Sequence, residues 1–135
     1  MLEMLLIADN EGNPLYSRSF LKETRNPQLF SGLISAINLI GVELFKKDVA
    51  TIVFGEHAEE EQIFVITREI PSQKRTLNFV FVCNCNCNQK AFREVATAIF
   101  IEIKPMVRSN LGSNIPQIVD KILETRFNGM RAFCE

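Results

Sequence analysis

Hydrophobic and polar positions change period several times along the chain, and each change marks an element. Residues 2–8 and 14–21 read as two strands around Asp9-Asn10-Glu11-Gly12-Asn13, a run of turn formers that signals a hairpin. Asn26-Pro27 then opens a helix, because asparagine caps free N–H groups and proline at the first helical position loses nothing by lacking its own. This helix is expected to run to about Phe45. Segments at 49–54, 62–70 and 76–85 are rich in β-branched and aromatic residues and read as three further strands. Gly55 with Glu59-Glu60-Glu61 separates the first two, and Pro71-Ser72-Gln73 separates the second pair; both gaps suit antiparallel hairpins. Asn88 can cap a second helix with Phe92, Val95, Ala96, Ile99, Ile103 and Met106 on one face, which Pro105 is expected to kink or end. A third helix begins near Asn114, presents Ile115, Ile118, Val119 and Ile122 on one side, and stops by Asn128-Gly129.

The predicted order is β-β-α-β-β-β-α-α. Met1–Ile7 and Leu77–Cys83 are apolar at nearly every position instead of alternating, as strands covered on both faces are. They belong at the centre of a sheet with the first helix on one face and the last two on the other. The expected fold class is therefore α/β of the α+β type, a five-stranded antiparallel sheet sandwiched between one helix and two. The 135 residues fit one domain, 1–135, long enough to bury a core without metal or disulfide staples.

Charge removes several function classes. Fifteen basic and sixteen acidic residues give a net charge of -1. The pairs Lys46-Lys47 and Lys74-Arg75 are too small to form the footprint of a nucleic-acid binder. Met1-Leu2-Glu3-Met4-Leu5-Leu6 lacks the basic start of a signal peptide, and Leu2 rules out N-myristoylation. The uncharged run from Asn26 to Val42 is interrupted by Ser, Gly, Asn and Gln, which puts it short of a membrane span. Cys134 is next to last, not fourth from last as in a prenylation box. A cytoplasmic protein with at most peripheral membrane contact is expected.

Three stretches carry a family resemblance: Leu5-Leu6-Ile7-Ala8-Asp9-Asn10-Glu11-Gly12-Asn13-Pro14-Leu15-Tyr16, Leu29-Phe30-Ser31-Gly32-Leu33-Ile34-Ser35-Ala36-Ile37, and Ile52-Val53-Phe54-Gly55. In this order, over essentially the whole chain, they resemble the longin domains of archaea and of eukaryotic membrane traffic. Roadblock and profilin-like sandwiches differ mainly in which element comes first, and here two strands precede any helix. The resemblance implies a longin/profilin-like sandwich that recognises other proteins, as an adaptor, a tether, or a regulator of small GTPases in vesicle trafficking. A roadblock-like GTPase regulator is the nearby alternative. Trafficking SNAREs of the family continue into a coiled-coil motif that this sequence lacks, so a stand-alone subunit is expected.

Catalytic and metal signatures are sparse. Cys83, Cys85 and Cys87 alternate with Asn84, Asn86 and Asn88, which raises the alternative of a small-molecule or metal sensor. On a strand, however, alternate side chains lie about 7 Å apart, too far for one zinc ion with sulfur bonds of about 2.3 Å to bridge three thiols without bending the backbone. Cys134 could serve as a fourth ligand, but no C-x-x-C pair occurs. The simpler reading is small buried residues that finish a central strand, with no disulfide inside the cell. His57, the only histidine, sits in a turn beside Glu56 and Glu59, with no nucleophile identified near it. Glu59-Glu60-Glu61 reads as a solvated loop. No phosphate-cradling glycine motif occurs, so no enzyme activity, cofactor or metal is expected.

The first helix carries the most information. At 100° per residue, Leu29, Phe30, Leu33, Ile34, Ile37, Ile40 and Leu44 fall on one face, the expected core stripe. Ser31, Gly32, Ser35, Asn38, Leu39 and Val42 fall opposite, and Glu43 is the only charge from Asn26 to Phe45. A small, uncharged back allows another chain to approach closely. These six residues are the expected protein-binding site, for a homodimer or a heterodimer with a longin- or roadblock-type protein and for contact with a small GTPase.

Overall fold

The computed structural model describes residues 1–21, 26–56, 61–71, 74–84, 88–108 and 114–133. The elements are β1 (Leu2–Asp9), β2 (Pro14–Ser19), α1 (Pro27–Phe45), β3 (Thr51–Phe54), β4 (Glu61–Ile70), β5 (Arg75–Asn84), α2 (Gln89–Arg108) and α3 (Ile115–Phe127), followed by a 3-10 stretch, Asn128–Phe133. All five strands join one sheet in the order β2-β1-β5-β4-β3, and every neighbouring pair is antiparallel. The two continuous apolar strands, β1 and β5, lie inside the sheet, as their composition requires.

Alternation along the strands divides the core in two. Met4, Leu6, Ile63, Val65, Val80 and Val82 turn to one face, where Ile34 of α1 meets them. Leu5, Ile7, Phe64, Phe79 and Phe81 turn to the other and pack against α2 and α3 through Phe92, Val95, Ile99, Ile103, Val119 and Leu123. The rings of Phe81 and Phe92 stack at 4.5 Å on that larger side. The sandwich is thus lopsided: two helices share a deep core, while α1 buries only Ser31 and Ile34.

Local chemistry accounts for the boundaries. Asp9 closes the β1–β2 turn, its Oδ1 accepting from the N–H groups of Glu11 and Asn13 at 2.9 Å each, while Gly12 takes a positive φ of 85°. Asn26 Oδ1 accepts from the N–H groups of Gln28 and Leu29 at the start of α1. Lys46 in the left-handed region ends that helix. β2 stops at Ser19, short of the expected 21, and β3 starts at Thr51 rather than 49. The expectation that Pro105 kinks or ends the second helix is corrected where its end is concerned, since α2 continues to Arg108. Pro105 lies on the exposed side, where water can hydrate the carbonyl that loses its N–H partner.

A polar latch fastens edge strand β2 to α3. The Tyr16 hydroxyl donates to Asp120 Oδ1 at 2.6 Å, and Arg18 pairs with Glu124 at 3.0 Å. Burial, with the hydrogen bond to Asp120 and the charge of that carboxylate, pushes the Tyr16 phenol well above its ordinary value.

Candidate protein interface

The polar side chains of α1 determine how the helix sits. Ser31 Oγ donates to the carbonyl of Gly12 at 2.7 Å, and Ser35 Oγ donates to the carbonyl of Asn10 at 3.3 Å, so both serines face the β1–β2 turn. Asn38 Oδ1 accepts from the backbone N–H of Val49 at 2.7 Å, and its Nδ2 donates to Asn78 Oδ1 at 3.5 Å. Thr67 Oγ1 donates to the same Asn78 oxygen at 3.1 Å, completing a polar patch beneath the helix. Buried Asn78 needs partners, and the small polar side chains of α1 serve it and the turn carbonyls of Asn10 and Gly12.

This seating reverses much of the sequence expectation. Of the six residues placed outward, Ser31 is buried and Ser35 and Asn38 are partly buried and bonded into the domain, while Gly32, Leu39 and Val42 are exposed. Of the expected core stripe, Ile34 is buried and Phe30 and Ile37 are half-buried. Leu29, Leu33, Ile40 and Leu44 instead face outward, with Leu29 72% and Leu44 68% exposed. Hydrophobicity alone picked the wrong face because the sheet beneath this helix presents hydrogen-bonding groups as well as apolar side chains.

The outward face is therefore apolar and nearly uncharged. Leu29, Leu33, Ala36 and Ile40 follow a 4-3-4 spacing, the seam of a helix that packs against another helix, and Leu39 adds a side chain 65% exposed. Beside it, Phe54 of the edge strand β3 is about half exposed. Between helix and strand lies a groove of about 330 Å³ lined by Leu29, Phe30, Leu33, Phe54, Glu61, Ile63 and Val82. Glu61, expected in a solvated loop, is half-buried at the start of β4 and is the single charged residue in that lining. By length and composition α1 is also apolar enough to cross a membrane, contrary to the expectation that its Ser, Gly, Asn and Gln residues leave the stretch short of a span. Its hydrogen bonds to the hairpin and to Val49 seat it on the domain.

The cysteine reading is revised as well. Cys83 is buried at the end of β5, as a small core residue should be, but it is disulfide-bonded, contrary to the expectation of no disulfide. A sulfur held in that bond is not a thiolate ligand, so Cys83 cannot anchor the metal site considered above. Cys85, Cys87 and Cys134 lie outside the described residues, as do His57, Glu59 and Glu60.

An antiparallel five-stranded sheet with one helix on one face and two on the other, entered through a β-hairpin, defines a longin/roadblock-like fold. Among solved structures it is similar to MglB from Myxococcus xanthus, with a TM-score of 0.50 and 11% identity over 80% of this chain and 85% of that one. It is also similar to the gliding protein MglB from Thermus thermophilus, with a TM-score of 0.45 and 11% identity over 62% of this chain and 61% of that chain, so the match spans about three-fifths of the Thermus protein. No protein-family model matches the sequence, and no curated protein does.

Proposed function

We propose that this chain is a non-enzymatic protein-interaction module. It pairs with a second longin- or roadblock-type domain, a copy of itself or a different chain, through the outer face of α1 and the adjoining edge of β3. The observation that carries this reading is the orientation of α1. Ser31, Ser35 and Asn38 are turned inward and the leucines and Ile40 outward, an arrangement that leaves apolar area in water unless something covers it. Burying a leucine-sized side chain contributes about 1.5–3 kcal/mol. Leu29, Leu33, Ile40 and Leu44 on one face, with Leu39 at its margin, therefore provide a driving force even after the entropic cost of association. Gly32 and Ala36, small and exposed, let a second helix approach closely.

The link to small-GTPase regulation or membrane traffic rests on the longin resemblance, and the roadblock-like regulator remains within the same reading. The likeness to MglB supports it at the level of fold. The decisive variant is Leu33→Glu with Ile40→Glu, both on the outer face. Sedimentation equilibrium and affinity capture should show wild-type protein paired, with itself or with a retained longin- or roadblock-type chain, and the variant folded but unpaired. A small GTPase retained by the wild type and lost with the variant supports the regulatory role. Identical assembly and identical captured proteins for both forms would reject the interface.

A further inference from the structure

The sheet has a second exposed edge, away from the outer face of α1. β3 pairs only with Glu61–Phe64 of β4, while β5 accompanies β4 along its whole length to Ile70. The last contact on the β3 side is the Val65 N–H donating to the Ala50 carbonyl at 2.9 Å. At Val49 the chain leaves the edge, held by Asn38. Backbone polar groups of a strand point to alternate sides, so the direction of Val65 sends the N–H and C=O of Thr67 and Glu69 the same way, away from β5. Among the described residues no strand lies beyond them.

The surroundings of this edge are cationic on one face. A recess of about 230 Å³ is bounded by Asp48, Val49 and Ala50, by the β4 residues from Val65 to Arg68, and by Arg93 of α2. Arg93 also lines a neighbouring recess of about 400 Å³ with Lys90, Glu94 and Arg126. In a chain of net charge -1, these two recesses gather Arg68, Arg93, Lys90 and Arg126 against Asp48 and Glu94. Thr67 bonds to Asn78 on the α1 side of the sheet, and Glu69 shares that face. Arg68 leaves the strand on the α2 side by alternation, and its Nη1 turns back to donate to the Thr67 carbonyl at 3.1 Å, so an incoming strand shares that carbonyl through its second lone pair or displaces the guanidinium onto its own carboxylate.

We propose that the Thr67–Ile70 edge of β4 takes an extended acidic segment of a partner protein as a short additional strand. The carboxylates of that segment recur at every second position, so that they meet Arg68 and Arg93 while the intervening side chains, lying on the Glu69 face, carry no negative charge. Strand addition supplies the backbone hydrogen bonds, and the arginines select the sequence. This site is separate from the α1 face and stands or falls independently of it.

The test uses a capped hexapeptide of alternating Glu and Val, titrated into isotope-labelled full-length protein and followed by amide NMR. Thr67, Glu69 and Arg93 amides should shift, and Arg93→Glu should weaken the apparent affinity by about tenfold, as expected for loss and reversal of a charge contact. The same peptide methylated on alternate backbone nitrogens, on the side that faces β4, should not bind. The proposal is overturned if the Lys-Val counterpart binds as well as the Glu-Val peptide, or if the methylated peptide binds equally. It is also overturned if the shifts map elsewhere, or if no shifts appear up to millimolar peptide. Lys90→Glu, on the exposed side of α2, gives a second reading should Arg93→Glu disturb folding.

Discussion

Asn38 holds Val49: its side-chain oxygen accepts the Val49 N–H at 2.7 Å, joining the middle of α1 to the residue where the chain turns into β3. The same side chain donates to Asn78, a polar residue buried in the central strand. One amide therefore sets the rotation of α1 and the entry of the edge strand together. Replacing it by alanine leaves the Val49 donor without this acceptor and takes one partner from Asn78. Asn38→Ala should lower stability by about 1–3 kcal/mol, the penalty for stranding partly buried hydrogen-bonding groups. Urea denaturation of the variant checks this, and an unchanged midpoint would mean that α1 is seated by something other than these bonds.

That contact also marks the limit of what the sequence conveyed. Element order, strand centrality and the cap at Asn26 follow from local periodicity and turn chemistry, which are written into short stretches of chain. The facing of α1 is not, because it depends on Gly12, Asn10 and Asn78, which are remote in sequence and offer hydrogen-bonding groups to the helix. A wheel that scores only hydrophobicity sends Ser31 and Asn38 outward and the leucines inward. The signal that could have corrected it was the Ser31, Ser35, Asn38 progression at helical spacing, together with a lone Asn78 inside an otherwise apolar strand. Among the candidate site residues, Leu39 and Val42 were legible as exposed because they stand out among small neighbours. Leu29, Leu33 and Ile40 were not, since an exposed apolar stripe and a buried one look identical until a partner surface is known.

Two glycines in α1 should respond in opposite directions. A Cβ added at Gly32 meets nothing within 4 Å, whereas one at Gly41 would lie 2.9 Å from the Lys47 carbonyl oxygen. Gly32→Ala removes backbone freedom from the unfolded chain without a clash and should stabilise the monomer by about 0.5–1 kcal/mol. Gly41→Ala must push aside the backbone that follows the Lys46 cap and should destabilise by about 1–3 kcal/mol. Thermal unfolding of the two variants at equal, low protein concentration compares them directly. A larger residue at Gly32, harmless in the monomer, should also interfere with pairing.

Tyr16 couples stability to alkaline pH. Its phenol is raised above the ordinary value of 10.0, first by burial and then by the hydrogen bond to Asp120. The unfolded chain therefore ionises near pH 10 while the folded protein keeps the proton, so the folded state binds more protons there and stability falls as pH rises above that point. Below it the contribution is constant. Tyr16→Phe should remove this alkaline slope and cost about 1 kcal/mol at neutral pH, a modest figure because Asp120 is itself more than half exposed. Denaturation midpoints measured from about pH 8 to about pH 11, the span around a tyrosine titration, give both quantities. An alkaline slope equal in the wild type and Tyr16→Phe would assign it to another group.

The lopsided core predicts which helix opens first. α2 and α3 share a continuous apolar layer with the sheet, while Ile34 is the only large side chain of α1 that is fully buried. Local opening free energy follows buried apolar contact, so amide hydrogens in α1 should exchange faster than those of α2 or β5 in dilute protein. Ile34→Ala, which removes that single anchor, should cost about 2–4 kcal/mol and should accelerate exchange along α1 more than along β5. Pairing through the outer face would oppose this, since a partner that binds only the seated helix stabilises it by mass action. Exchange of α1 amides should therefore slow as protein concentration rises, or on addition of the paired chain, while the Leu33→Glu and Ile40→Glu variant keeps the dilute rate throughout. If α1 is already as protected as β5 at the lowest concentration and shows no dependence on it, the helix is stable by itself and its exposed leucines need no covering partner.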